Sequence, residues 1–412
     1  MSKKNLLVGQ SGGPTTVINS SLLGVIEGAL ESGEFEHVYG MTNGIKGYLE
    51  GKKQDLGLLT AEERALLKTT PASYLGTCRF KLPNNFEDPF FETIMKRFEE
   101  DNIGAVFYIG GNDSMDTAAK LSVYGAQVNS DIRFIGVPKT IDNDLIITDH
   151  TPGYGSSAKF IASQVRQMTL DAECYPTDSA TVIEIMGRDA GWLTAASKAA
   201  RRFEGDNPVL IYLPETDFDE EDFIKRVKAE FEKRAAVVVC VSEGIHDSTG
   251  RLICDNGNVQ YDAFGHPVLS GAGAAVAQMI REKIGAKTRA VELSLLQRAS
   301  ATEASKTDVE EAYRCGYEGV KAALAGKTGV MIAMKRVSDD PYTIEYEAVP
   351  AVEVCNQVKN FPAEWITNDG TDIADEYLDY LRPIITGESC PPMKDGLPQF
   401  LYRNVSDCKV NK

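Results

Sequence analysis

Apolar positions along this chain fall into short, often β-branched runs separated by longer amphipathic stretches, and the alternation persists through most of its length. Compact runs at 5–10, 104–109, 133–137, 181–186, 208–213, 236–241 and 289–293 have the length of buried strands. Residues 15–32, 155–170, 191–202, 220–234, 271–283 and 307–325 carry apolar positions at helical spacing. Strands alternating with helices predict an α/β protein whose parallel sheets are wound with helices on both faces. Strand, glycine-rich turn and helix recur without a strong internal repeat, and no linker-like stretch marks a domain boundary. Residues 335–412 are richer in proline, aspartate and irregular runs, and read as strands and helices added around a core.

The reactive side chains cluster where those strands end, which is where open α/β sheets place their ligands. After the 133–137 run comes Pro138-Lys139-Thr140-Ile141-Asp142-Asn143-Asp144. Its carboxylates can hold Mg²⁺ or take a proton, and its ammonium can neutralise a phosphoryl group in transfer. A solvated acidic turn would explain this run alone equally well. The first strand ends at Gln10-Ser11-Gly12-Gly13-Pro14, where glycines and a helix N-terminus suit an anion, or simply a tight turn. Gly110-Gly111-Asn112-Asp113-Ser114 offers oxygen donors at a strand end, with Asp113 or Ser114 also a candidate helix cap. Arg79 lies in a glycine-containing loop, where it could supply positive charge or merely be solvated. In Met186-Gly187-Arg188-Asp189, Arg188 is either a bidentate phosphate ligand or half of a surface pair with Asp189. Ser242-Glu243-Gly244 and Gln297-Arg298 add a carboxylate and an arginine beyond two further strands.

With 412 residues the chain can form two or three domains. Its net charge of −17 argues against a nucleic-acid or anionic-membrane partner, since both demand clustered Lys and Arg. A phosphorylated ligand would then rely on local basic groups, backbone N–H groups and Mg²⁺. The eight cysteines include no C-x-x-C pair, which fits reduced thiols in a cytoplasmic protein, and the four histidines are too dispersed for a histidine-based metal site. Met1-Ser2-Lys3-Lys4 leads straight into a strand, and no apolar run has the length of a membrane span.

Taken together, residues 110–114, 138–144 and 186–192, with Ser11-Gly12-Gly13, residues 75–79, Ser242-Glu243-Gly244 and Gln297-Arg298, resemble the phosphofructokinase family over about residues 5–335. The resemblance implies two Rossmann-like lobes with parallel-sheet cores and an active-site cleft between them. One lobe would be residues 1–150 with part of 300–360, binding the phosphoryl donor. The other would be 151–299 with part of 361–412, binding a sugar phosphate.

Members of the family with aspartate and lysine at the positions of Asp113 and Lys139 use inorganic pyrophosphate, whereas ATP-using members usually have glycine at both. A carboxylate at Asp113 would repel a nucleotide α-phosphate, and Lys139 would serve a small, highly charged donor. The implied reaction is Mg²⁺-dependent, reversible transfer from pyrophosphate to the C1 hydroxyl of fructose 6-phosphate. The alternatives are an ATP-dependent enzyme and a non-catalytic regulatory subunit. Catalysis would fall to Asp142 as base with Lys139, Asp113 and Arg188. Gly12, Arg79, Gly111, Asp113 and Lys139 would bind the donor. Thr140, Ile141, Asp142, Met186, Gly187, Arg188, Glu243, Arg289, Leu295, Leu296, Gln297 and Arg298 would contact the sugar phosphate. Asn112 and Asp144 would lie at the metal. The family usually has aspartate where Asn112 stands, His or Tyr where Leu295 stands, and an intersubunit arginine where Ser179 stands. Arg289 matches an arginine that often crosses between subunits, so a homo-oligomer, dimer or tetramer, is expected.

Overall fold

The computed structural model describes residues 3–78, 80–255 and 269–403. Among these, two larger sheets are built from β1 (Lys4–Gln10), β2 (Phe35–Met41), β3 (Lys53–Asp55), β4 (Ile103–Gly110), β5 (Arg133–Pro138), β6 (Ser179–Ile185), β7 (Leu210–Tyr212), β8 (Ala236–Ser242), β9 (Lys287–Glu292), β10 (Val330–Asp339) and β11 (Tyr342–Pro350). The first sheet runs β11-β10-β5-β4-β1-β2-β3, with β2, β1, β4, β5 and β10 parallel and antiparallel strands at both edges. The second runs β7-β8-β6-β9 and is parallel throughout. Central strands read as continuous apolar runs because both faces are covered: β8 is buried at every residue and β1 at all but its first.

Two features of this winding place the site. The chain moves from β1 outward to β2 on one side and from β4 outward to β5 on the other, so the sheet changes direction between β1 and β4. Loops leaving such neighbouring strands diverge and open a crevice at their carboxyl ends. The chain also returns to where it began. After building the second sheet it adds β10 beside β5, and the helix Lys306–Leu324 packs on the helix Ile18–Ser32. Glycines let these helices touch: a Cβ on Gly24 would lie 2.0 Å from the Tyr313 carbonyl oxygen, and one on Gly316 2.1 Å from that of Ser21. On the second sheet, Phe361, Ile373, Tyr377, Leu381 and Ile384 share a core with Tyr154, Ile161, Ile183 and Trp192.

The helix expected from residue 15 begins at Ile18, with Thr15 and Thr16 buried ahead of it. The helix expected over 191–202 is one α-turn, Trp192–Ala195, tightening into the 3-10 turn Ala196–Ala200. Among the described residues no helix is long and apolar enough to cross a membrane.

Candidate active site

Three loops from the first sheet converge on Lys139. Its side chain is 4% exposed, and its ammonium donates to the Gly13 carbonyl oxygen at 2.5 Å. Gly12 lies alongside with φ +78°, a conformation that suits glycine, and a Cβ there would sit 3.4 Å from Nζ. The next glycine meets the other lobe: a Cβ on Gly13 would lie 2.7 Å from Nη1 of Arg298. The donor-side turn and an arginine beyond β9 therefore touch. Burial pushes the Lys139 ammonium down to about 8, although Asp142 and Asp144 pull it up, and the Arg298 charge adds to the depression. A buried cation so destabilised gains strongly from an anionic ligand.

The loop after β5 is organised by its own backbone. Thr140 is pinned by its N–H to the Pro152 carbonyl and by its carbonyl to the Thr151 hydroxyl, and its Oγ1 accepts from the Asp142 N–H at 3.1 Å. Asn143 takes a left-handed φ of 55° and donates its amide to the Tyr380 hydroxyl, which turns Asp142 and Asp144 toward the junction of the lobes. Both carboxyl groups are pushed above the usual range by burial; Lys139 and Arg188 oppose this at Asp142, while Asp144, beside Asp142, reaches about 7. Asp144 Oδ1 is buried and has no hydrogen-bond partner. An unsatisfied carboxylate oxygen with a second carboxylate nearby suits a hard cation, so the donor set fits Mg²⁺.

The second sheet supplies the facing wall. β6 ends at Met186 and Gly187, whose φ of 138° lets the chain turn while its N–H approaches Glu243 Oε1 at 3.4 Å. A Cβ on Gly244 would stand 1.9 Å from the Arg188 carbonyl oxygen, so the loops after β6 and β8 cross in direct backbone contact. Arg188 Nε is buried without a hydrogen-bond partner while Asp189 is exposed, which leaves the guanidinium able to take an anionic ligand. Glu243 is pushed up to about 7 by burial and by the nearby Asp142 charge. Lys139, Asp142, Asp144, Arg188, Glu243 and Arg298 thus form one electrostatic group.

Several expected residues are placed differently. Ile141 is a core side chain of the second lobe, 7% exposed, so only its backbone faces the loop. Gln297 is buried and spends its amide on the Met186 N–H and the Ser294 carbonyl, holding the turn Ser294–Arg298 to the end of β6. Leu295 and Leu296 on that turn are exposed. Arg289, in edge strand β9, pairs instead with Asp171 at 3.2 Å. Asn112, expected at the metal, instead donates to the Gln357 carbonyl and accepts from the Asn356 N–H. Both amide atoms hold this chain segment, while the amide oxygen keeps a second lone pair. Gly111 precedes it at the start of the helix Asn112–Gln127, and Asp113 is half-exposed, 3.9 Å from Lys81. Arg79 lies outside the described residues.

A buried ionic chain behind the loop carries no signal in sequence spacing. His150 bridges Asp149 and Glu311, each at 2.7 Å, and the two carboxylates raise it to about 9 despite burial. Arg336 pairs with Asp149 at 3.0 Å and stacks on Tyr380, the partner of Asn143. Lys359 donates to the Thr148 and Asp149 carbonyls from the opposite side.

Known proteins resemble the chain over nearly its whole length. A family model described as Phosphofructokinase matches residues 5–323. The pyrophosphate–fructose 6-phosphate 1-phosphotransferase of Halomonas elongata is 40% identical over 403 residues, covering 97% of this chain and 96% of its own. That of Methylococcus capsulatus is also 40% identical, over 405 residues, 97% of this chain and 96% of its own. The crystal structure of the pyrophosphate-dependent phosphofructokinase of Nitrosospira multiformis superposes with a TM-score of 0.88 at 37% identity, covering 97% of this chain and 96% of that one.

Proposed function

This chain belongs to the phosphofructokinase family, and from that premise we propose that it transfers a phosphoryl group from inorganic pyrophosphate to the C1 hydroxyl of fructose 6-phosphate, releasing fructose 1,6-bisphosphate and phosphate. The observation that carries the reading is Lys139: a buried ammonium beside two carboxylates at the end of β5, in a chain 40% identical across nearly its whole length to enzymes named for this reaction.

Asp142 takes the proton of the C1 hydroxyl as that oxygen attacks phosphorus, and the leaving phosphate departs in line. Lys139 lies on the donor side through Gly13 and Arg188 on the acceptor side, so their charges flank the transferring group. Arg298 and Glu243 hold the sugar phosphate, through its phosphoryl oxygens and a hydroxyl respectively. Glycines 12 and 111 admit donor oxygens close to backbone N–H groups. Asp144, through its unsatisfied Oδ1, would hold Mg²⁺, which neutralises donor charge. Among the described residues no group of three His, Cys, Asp or Glu side chains forms a metal site, so donor oxygens and water would complete its shell, as is usual for this ion. Arg289 and the exposed Leu295 and Leu296 fit a surface facing a second copy of the chain.

Steady-state rates with pyrophosphate, ATP and GTP against fructose 6-phosphate, with and without Mg²⁺, test the reading. Turnover with pyrophosphate and Mg²⁺ alone is expected. Equal use of ATP, or none of pyrophosphate, defeats it.

A further inference from the structure

In-line transfer sets the direction of the donor. With the acceptor oxygen at Asp142 and the transferred group beside Lys139, the leaving group would run away from Asp142 along the donor-side turns, toward Gly111 and the first turn of the helix Asn112–Gln127. Pyrophosphate ends there. A nucleotide would have to continue past that turn.

Residues 354–359 lie against that first turn. Asn112 grips the backbone of Asn356 and Gln357, and the Asn356 amide reaches Asp116 Oδ1 at 3.3 Å, one helical turn further on. Asp116 is itself fixed by Lys120 at 2.7 Å. Beneath, Ala351, Val354 and Cys355 pack with Met115, Ala119 and Leu145. At the far end the Lys359 N–H donates to the Asp144 carbonyl at 2.8 Å. The segment is therefore tied to the loop after β4 and to the loop after β5, spanning the gap between them. Asn356 makes the necessary turn with φ +61°. The strap's outer side chains, Asn356, Gln357 and Val358, are exposed, so nothing behind them forces this course; the ties do.

We propose that residues 354–359, latched by Asn112, form a strap that sets donor length, admitting pyrophosphate and excluding a nucleoside triphosphate by volume. The proposal rests on the pyrophosphate reading and adds a second barrier to the charge of Asp113. The two act differently. Asp113 is half-exposed and repels by charge, whereas the strap occupies space. Removing the charge alone therefore leaves ATP largely excluded.

The test uses the full-length enzyme with Asn356, Gln357 and Val358 replaced by glycine, which loosens the strap, and separately with Asn356→Gly, each alone and combined with Asp113→Gly. Readouts are kcat/KM for pyrophosphate and for ATP, and the inhibition constant of ADP against pyrophosphate. The combined variants are expected to gain at least about tenfold in ATP use and in ADP affinity over Asp113→Gly alone. Pyrophosphate kcat/KM in the strap variants should change by less than about threefold. ATP use and ADP affinity unchanged within about twofold, with pyrophosphate turnover intact, overturn the strap. So does loss of pyrophosphate turnover without any gain in ADP binding, which makes the segment scaffolding only. Equal use of ATP by the unmodified enzyme would instead refute the donor reading, before any strap variant is considered.

Discussion

Lys139 should make donor binding sensitive to alkaline pH in a way that can be separated from unfolding. Its ammonium is buried and depressed to about 8, against 10.5 for an ordinary lysine. A group at about 8 is roughly 90% charged at pH 7 and roughly 10% charged at pH 9. The free enzyme able to capture pyrophosphate should thus fall about tenfold between pH 7 and 9. Stability moves the other way. Between about 8 and 10.5 the unfolded lysine binds a proton that the folded one has lost, so this residue's contribution to stability rises with pH there. Weakened donor capture therefore cannot be blamed on Lys139 unfolding the site. The assay is kcat/KM for pyrophosphate from about pH 6.5 to 9.5 in the wild type and in Lys139→Arg, whose guanidinium stays charged throughout. Pyrophosphate's own ionisation is common to both, so the ratio isolates Lys139. It should drop about tenfold from pH 7 to 9, whatever the absolute cost of the larger side chain. Equilibrium binding of pyrophosphate supplies the same ratio if the variant turns over slowly. A ratio independent of pH refutes the reasoning.

Asp142→Asn should lower kcat by about two to four orders of magnitude with little change in fructose 6-phosphate affinity; near-wild-type turnover removes Asp142 as the base. Arg188→Lys should reduce kcat/KM for fructose 6-phosphate by at least about tenfold, because a point charge cannot reproduce the guanidinium fork, and a silent substitution would return Arg188 to a surface role. Gly244→Ala puts a Cβ 1.9 Å from the Arg188 carbonyl, which is backbone and cannot swing aside; a loss of about 1–3 kcal/mol is expected in urea unfolding, and an unchanged midpoint contradicts the crossing of the two loops. His150, raised from 6.5 to about 9, contributes stability fully present below pH 6.5 and lost as pH rises through about 9. The stability gap between wild type and His150→Asn should then shrink by about 3 kcal/mol between pH 6 and 9.5, and a constant gap shows that the histidine is not a buried cation.

The architecture was legible because its central strands are buried on both faces and write themselves as unbroken apolar runs; β1, β4, β5, β6 and β8 all declare themselves this way. β2 and β3 escaped notice because they lie toward an edge, where exposed His37 and Glu36 interrupt the pattern. The helix Ala61–Thr69 buries only Leu67, so its periodicity is weak, although Thr60 and Glu63 form a capping box that could have announced it. At the site, residue type and strand-end position point to Lys139, Asp142, Asp144 and Arg188, because polar groups at the ends of buried strands have few other reasons to be there. Three placements could not be read from the sequence, and for one reason. Ile141, Gln297 and Asn112 sit in the right loops, but their side chains are directed by partners far away in sequence: a core, a turn and residues 356–357. The Asp149–His150–Glu311 chain is invisible for the same reason, since 161 positions separate His150 from Glu311.

The return of the chain to its first sheet governs how the molecule is made. A ribosome delivers β1 and the helix Ile18–Ser32 early, yet the helix that covers them, Lys306–Leu324, and the strand that extends β5, Val330–Asp339, emerge only after the whole second sheet. For most of synthesis the nascent amino-terminal half carries a bare apolar helix face and an unpaired strand edge, the surfaces through which growing chains associate. The second sheet draws its strands from one uninterrupted stretch, and one of its two core faces, built wholly from residues 180–286, can close first, while Phe361 to Ile384 complete the other face later. Ribosome-stalled chains ending near residue 300 should accordingly protect β6 and β8 from proteolysis while leaving β1 and β5 open, and a circular permutant that begins near residue 300 should reverse that order.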